Sequence, residues 1–253
     1  MDTKTEKLFS KVPEVTFVFW LIKIAATTLG ETGGDAVSMS MNLGYLVGTA
    51  IFAILFFGFV GWQIKAEKFH PFLYWATIIA TTTVGTTLAD FCDRSLHIGY
   101  AGGSSLLLVL LIGSLALWYK TMGSVSINTV SSPKSEMFYW VTIMFSQTLG
   151  TALGDWTADT EGFGYLNSTA LFGGLLAVIA ALYLFTKISR TALFWAAFVL
   201  TRPLGAVLGD FCDKPIANGG LNLSRYSASL VLLVFIVVCV LIFEQRPAKQ
   251  ETV

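Results

Sequence analysis

The stretch FWLIKIAATTLGETGGD (residues 19–35) returns three more times, as YWATIIATTTVGTTLAD (74–90), YWVTIMFSQTLGTALGD (139–155) and FWAAFVLTRPLGAVLGD (194–210). The four copies align without gaps. Each opens on an aromatic–Trp pair (Trp20, Trp75, Trp140, Trp195), carries Gly ten residues after the Trp (Gly30, Gly85, Gly150, Gly205) and closes on Asp five residues later (Asp35, Asp90, Asp155, Asp210). So many offsets shared four times mark one supersecondary unit copied along the chain.

Each motif leads through a polar turn into a second apolar run. In three copies a Gly-Tyr pair opens that run, with Tyr45, Tyr100 and Tyr165 ten residues past the Asp; in the fourth, a longer loop shifts Tyr226 to sixteen. The unit therefore reads as a two-helix hairpin, and the fold as all-α with eight helices. The chain is 55% hydrophobic and 13% charged, against roughly a quarter charged in soluble domains. Together with runs such as 106–118 and 229–243, this predicts a polytopic membrane protein. The expected transmembrane helices are 14–35, 42–63, 71–91, 98–119, 136–156, 164–186, 191–211 and 224–243, each about the ~20 residues a bilayer core demands.

Lys and Arg set the expected orientation. The termini and the connections after even helices hold Lys4, Lys7, Lys11, Lys65, Lys68, Lys120, Lys134, Lys187, Arg190, Arg246 and Lys249; the turns inside the repeats hold only Arg94, Lys214 and Arg225. Eleven against three predicts cytoplasmic N- and C-termini and four parallel repeats, in a pseudo-fourfold or nested twofold arrangement about the membrane normal. Asp35 to Asp155 and Asp90 to Asp210 are both 120 residues, which divides the chain into two membrane halves, 1–125 and 126–253. The pattern resembles a bacterial family of membrane-anchored proteins of unknown function, built from four tandem two-helix repeats each with a signature tryptophan. The resemblance implies eight helices and the bacterial inner membrane, and carries no activity with it.

The four aspartates fall near the outer ends of the odd helices, where the helix macrodipole disfavours a bare carboxylate. Fourfold rotation would gather them into a ring, as in cation filters, making Asp35, Asp90, Asp155 and Asp210 the candidate ion or metal ligands, with Glu31 beside them. The alternative is that each Asp only caps a turn. Around that mouth stand Glu31, Asp35, Asp90, Asp93, Asp155, Asp159, Glu161, Asp210 and Asp213 against three bases, an excess that concentrates cations. Thr28, Thr83 and Thr148 are candidates for lining a polar path. The glycines, with Gly34, Ala89, Gly154 and Gly209, form small-xxx-small faces for close helix packing, and the tryptophans read as packing wedges or interfacial anchors.

Two cations break the repeat. Lys23 and Arg202 sit near mid-bilayer, where a charge costs at least ~2.5 kcal/mol, and their counterparts are Ile78, Ile143 and Phe198 for Lys23 and Thr27, Thr82 and Gln147 for Arg202. Lys23 is expected to pair with Glu31 or a neighbouring carboxylate, Arg202 with an acid on another helix. Cys92 and Cys212 occupy equivalent places and are expected as free thiols. Three function classes follow: transport of a small cation, divalent metals included, at the acidic site; transport of an anion or organic acid clamped by Arg202 and Lys23; or a non-transporting scaffold. Cation transport is favoured. No catalytic triad, HExxH, P-loop or GxGxxG fingerprint is present, so no enzyme, cofactor or nucleic-acid partner is expected. The expected partners are the lipid bilayer and a small ion or solute.

Overall fold

The computed structural model describes residues 10–160 and 162–249; Lys4, Lys7 and Glu161 lie outside them. Eight α-helices follow in chain order: α1 (Phe17–Asp35), α2 (Tyr45–Lys65), α3 (Pro71–Asp90), α4 (Tyr100–Met122), α5 (Pro133–Asp155), α6 (Gly164–Phe185), α7 (Arg190–Asp213) and α8 (Arg225–Ile242). Starts are set locally. Thr16 and Ser189 cap α1 and α7, and Ser132 forms a capping box with Ser135 ahead of Pro133 in α5, satisfying amide donors that have no partner within the helix.

In the first three repeats the helix does not stop at the Asp. It continues through one wider π-type turn, 36–40, 91–95 and 156–160. The chain then reverses through two left-handed residues, Asn42 and Gly44, His97 and Gly99, or Gly162 and Gly164. The Gly of each Gly-Tyr pair is thus a residue whose positive φ disfavours a Cβ. Repeat 4 has no such π turn: α7 stays α-helical to Asp213, and a short 3-10 turn, 216–218, precedes α8.

The odd helices form a closed inner ring in which α1 packs on α3, α3 on α5, α5 on α7, and α7 back on α1. The four repeat glycines are the seams. Gly30 faces Thr82, Gly85 faces Gln147, Gly150 faces Arg202 and Gly205 faces Thr27, so each glycine meets one repeat position on the next helix. A Cβ at any of them would sit 3.0 Å or closer to its neighbour.

The even helices form an outer ring, and here the hairpin expectation needs correcting. Each packs on the first helix of the following repeat: α2 on α3, α4 on α5, α6 on α7 and α8 on α1. The repeats are interlocked, because an inner helix spends one face on each ring neighbour and presents its outward face to the helix arriving from the previous unit.

Six of the eight helices are long and apolar enough to cross a membrane. α1 and α5 fall short of the expectation of eight: α1 carries Lys23, Glu31 and Asp35, and α5 carries Glu136, Gln147 and Asp155. Both lie in the inner ring, where neighbouring helices cover them. The outer helices show the opposite. The most apolar stretches of α2 and α6 have mean hydropathy 2.0 with only 11% of their residues buried. Helices apolar all round yet mostly exposed suit a lipid surface rather than water.

Candidate functional site

The ring has two differently filled ends. At the tryptophan end, Phe19, Tyr74, Trp75, Tyr139, Trp140, Phe194 and Trp195 are buried in one aromatic cluster, and the Tyr74 and Tyr139 hydroxyls meet at 2.6 Å. Ile78, Ile143 and Phe198 are wholly buried next along the helices. Chain segments cover this end. The Ser10 hydroxyl donates to Ile127 O (2.6 Å), the Lys11 amide to Val130 O (2.9 Å) and the Ala248 amide to Val12 O (2.8 Å). Lys11 Nζ lies 2.7 Å from buried Glu136 and donates to Gln63 O (3.2 Å) and Ile64 O (3.1 Å).

At the other end the carboxylates converge. Asp35, Asp90, Asp155 and Asp210 come from four helices and are all buried. Glu31, one turn deeper on α1, links them: Glu31, Asp35 and Asp90 bring carboxylate oxygens within 4.8 Å of one another, as do Glu31, Asp155 and Asp210, and Asp35, Asp210 and Asp213. Asp35 Oδ1 and Asp155 Oδ1 have no hydrogen-bond partner among the described residues.

Internal cations close the cage on two sides. Arg202, wholly buried, places Nη2 3.0 Å from Glu31 Oε2 and also donates to the Thr86 and Thr151 hydroxyls. One guanidinium thus joins helices α1, α3, α5 and α7. Towards the mouth, Lys214 Nζ bridges Asp35 (2.8 Å) and Asp210 (3.0 Å), while Arg94 bridges Asp90 (2.7 Å) and Asp155 (3.6 Å). Arg225 adds a second tie, 2.8 Å from Asp213 and 3.6 Å from Asp35. Burial works against the charge on Lys214, but Asp210, Asp35 and Asp213 outweigh it and raise its pKa above that of an ordinary lysine. It therefore stays an ammonium.

The clamps reduce fourfold symmetry to twofold. Arg94 and Lys214 each stand four residues after the Asp of an even-numbered repeat, where repeats 1 and 3 have Met39 and Asp159. Extending the repeat alignment four residues past the Asp would have singled them out. Thr86 and Thr151 were likewise missed, since buried threonines are plentiful here and only the fold brings these two to Arg202.

Other candidates lie elsewhere. Thr28, Thr83 and Thr148 donate to carbonyls one turn earlier on their own helices, Ile24 O (2.9 Å), Ile79 O (2.8 Å) and Met144 O (3.0 Å). Their protons are spent on backbone and unavailable to a path. Among the described residues Lys23 pairs with no carboxylate, contrary to expectation. Its Nζ is buried without a hydrogen-bond partner, 4.2 Å from the Phe198 ring centre, while Glu31 is taken by Arg202. Trp75, Trp140 and Trp195 are buried wedges and Trp20 is half-buried; Cys92 and Cys212 are free.

A family model described as Repeat of Unknown Function (DUF347) matches the chain four times, over residues 18–69, 73–124, 138–189 and 193–243. Each match opens one residue before an aromatic–Trp pair. No curated protein and no solved structure matches the chain.

Proposed function

We propose that this chain, which belongs to the DUF347 family of repeats of unknown function, is an integral membrane transporter that binds a small cation in the Glu31–aspartate cage. All eight helices span the membrane in this reading, with α1 and α5 shielded by the other six. Among the described residues the tryptophan end carries Lys11, Lys65, Lys68, Lys120, Lys134, Lys187, Arg190, Arg246 and Lys249, against Arg94, Lys214 and Arg225 at the other. That asymmetry supports placing the tryptophan end and both termini on the cytoplasmic side of a bacterial plasma membrane.

The observation that carries the proposal is the convergence of five buried carboxylates from four helices. With Asp213 beside them they face four cations, Arg202, Arg94, Lys214 and Arg225, so the cage keeps formal negative charge. Oxygen-only donors suit hard cations. An entering cation replaces Lys214 or Arg94 between a pair of aspartates, which frees the side chain to swing outward. The opposite end is sealed by aromatics and tied segments, which supports a carrier with alternating access over an open pore.

The test is cation flux in proteoliposomes, with Asp35, Asp90, Asp155 and Asp210 replaced singly by Asn and Glu31 by Gln. At least one Asp variant and the Glu31 variant are expected to lose tenfold or more of the flux while remaining folded. Normal flux in all five removes the site. Absence of flux for any ion in the native protein, with lowered thermal stability in every Asp variant, identifies a scaffold instead.

A further inference from the structure

We propose a second site in the same ring, between the carboxylate cage and the aromatic seal, that binds a small monovalent inorganic anion of the halide class. Its ligands are Lys23 Nζ, Arg202 Nε, the Gln147 amide and the hydroxyls of Ser146 and Thr82.

All five side chains are wholly buried, and each offers polar atoms with no hydrogen-bond partner among the described residues: Lys23 Nζ, Thr82 Oγ1, Ser146 Oγ, both polar atoms of Gln147, and Arg202 Nε. They share one layer. Thr82, Gln147 and Arg202 occupy a single repeat position on α3, α5 and α7, Ser146 precedes it by one residue, and Lys23 lies one helical turn from it on α1. Native interiors pair nearly all buried polar atoms, so a cluster of this size calls for an occupant.

Its chemistry identifies the occupant's sign. The ammonium supplies three donors, the amide two, and Nε and each hydroxyl one, while strong acceptors are few. Glu31 is already paired with Arg202 from the cage side, through Nη2, and Lys23 Nζ has no partner of its own among the described residues. Water would satisfy the hydrogen bonds, whereas an anion also holds Lys23 in its charged form, which burial without a counter-ion disfavours. A cation is refused outright. Ile78, Ile143 and Phe198, all fully buried, wall the far side, which favours a small ion over an organic acid. The Phe198 ring beside Lys23 gives the ammonium an apolar wall and directs its remaining donors at the anion.

The experiment measures thermal unfolding of the purified full-length protein in detergent, by tryptophan fluorescence. Sodium chloride, bromide and gluconate are compared at equal sodium. Halides are expected to raise Tm by several degrees over gluconate, and Lys23→Met to abolish that difference. Should Lys23→Met not fold, Gln147→Leu is expected to shrink the difference and Lys23→Arg to retain it. Bromide anomalous scattering is expected beside Lys23 Nζ. Identical Tm in chloride and gluconate, or a halide effect intact in Lys23→Met or in Gln147→Leu, overturns the proposal. Asp35→Asn is expected to keep the halide response, so failure here and failure of the cation reading are separate results.

Discussion

The two ends of the inner ring rest on the same glycine seams and are filled in opposite ways. At the tryptophan end large rings occupy the space: the Trp140 and Trp118 indole nitrogens have no hydrogen-bond partner among the described residues, while those of Trp75 and Trp195 donate to Gln245 and to Val125 O. At the aspartate end the space holds small side chains and charge, with Glu31, the four repeat aspartates and Asp213 tied across the inner helices by Arg202, Arg94, Lys214 and Arg225. Stability at one end is a matter of volume, at the other of charge balance. The same helix can therefore be rigid and dry along half its length and polar enough for an ion along the other.

Substitutions can break that contrast, and the largest effect is expected where charge is least replaceable. Arg202→Met leaves Glu31 buried without its cation, a loss expected to cost about 3–5 kcal/mol in reversible unfolding from mixed micelles. Adding Glu31→Gln is expected to restore much of it. Without such a rescue, the pair is not what joins the helices. At the tryptophan end, Trp140→Ala opens a cavity and is expected to cost about 3–5 kcal/mol as well, with no charge partner able to rescue it. The half-buried Trp20 is expected to lose clearly less on the same change.

Smaller effects sharpen the picture. Gly150→Ala forces a Cβ against Arg202, which Glu31, Thr86 and Thr151 hold in place, so about 1–3 kcal/mol is expected. Gly58→Ala is the control: nothing lies within 4 Å of a Cβ there, and no loss is expected, only the small gain of Ala over Gly inside a helix. Equal effects at the two glycines would refute the seam. Tyr74→Phe removes one hydroxyl from the Tyr74–Tyr139 pair and is expected to cost about 1 kcal/mol.

Much of the architecture was legible because repetition is a property of sequence. Helix bounds fall within three residues of those expected from the apolar runs, since glycine turns and capping residues act locally. The hairpin was misread for a related reason. A connection between consecutive helices says which are adjacent in the chain, while packing partners depend on which faces are free once the ring closes. Lys23 shows the same limit. Its spacing from Glu31 on one helix suggests a pair, but Arg202 arrives from α7 and takes that carboxylate.

The amino-acid order alone determined the four repeats, the eight helices, the seam glycines and the acids at one end, because each depends on residues close in the chain or at fixed periods. Only the tertiary structure decided that each second helix serves the following repeat, that Glu31 sits among all four aspartates, and that Arg94 and Lys214 divide them two and two. Those outcomes rest on contacts between groups far apart in the chain, such as Lys214 with Asp35 across 179 residues and Ser229 with Thr32 across 197. Such contacts are set by ring closure, which no local pattern encodes.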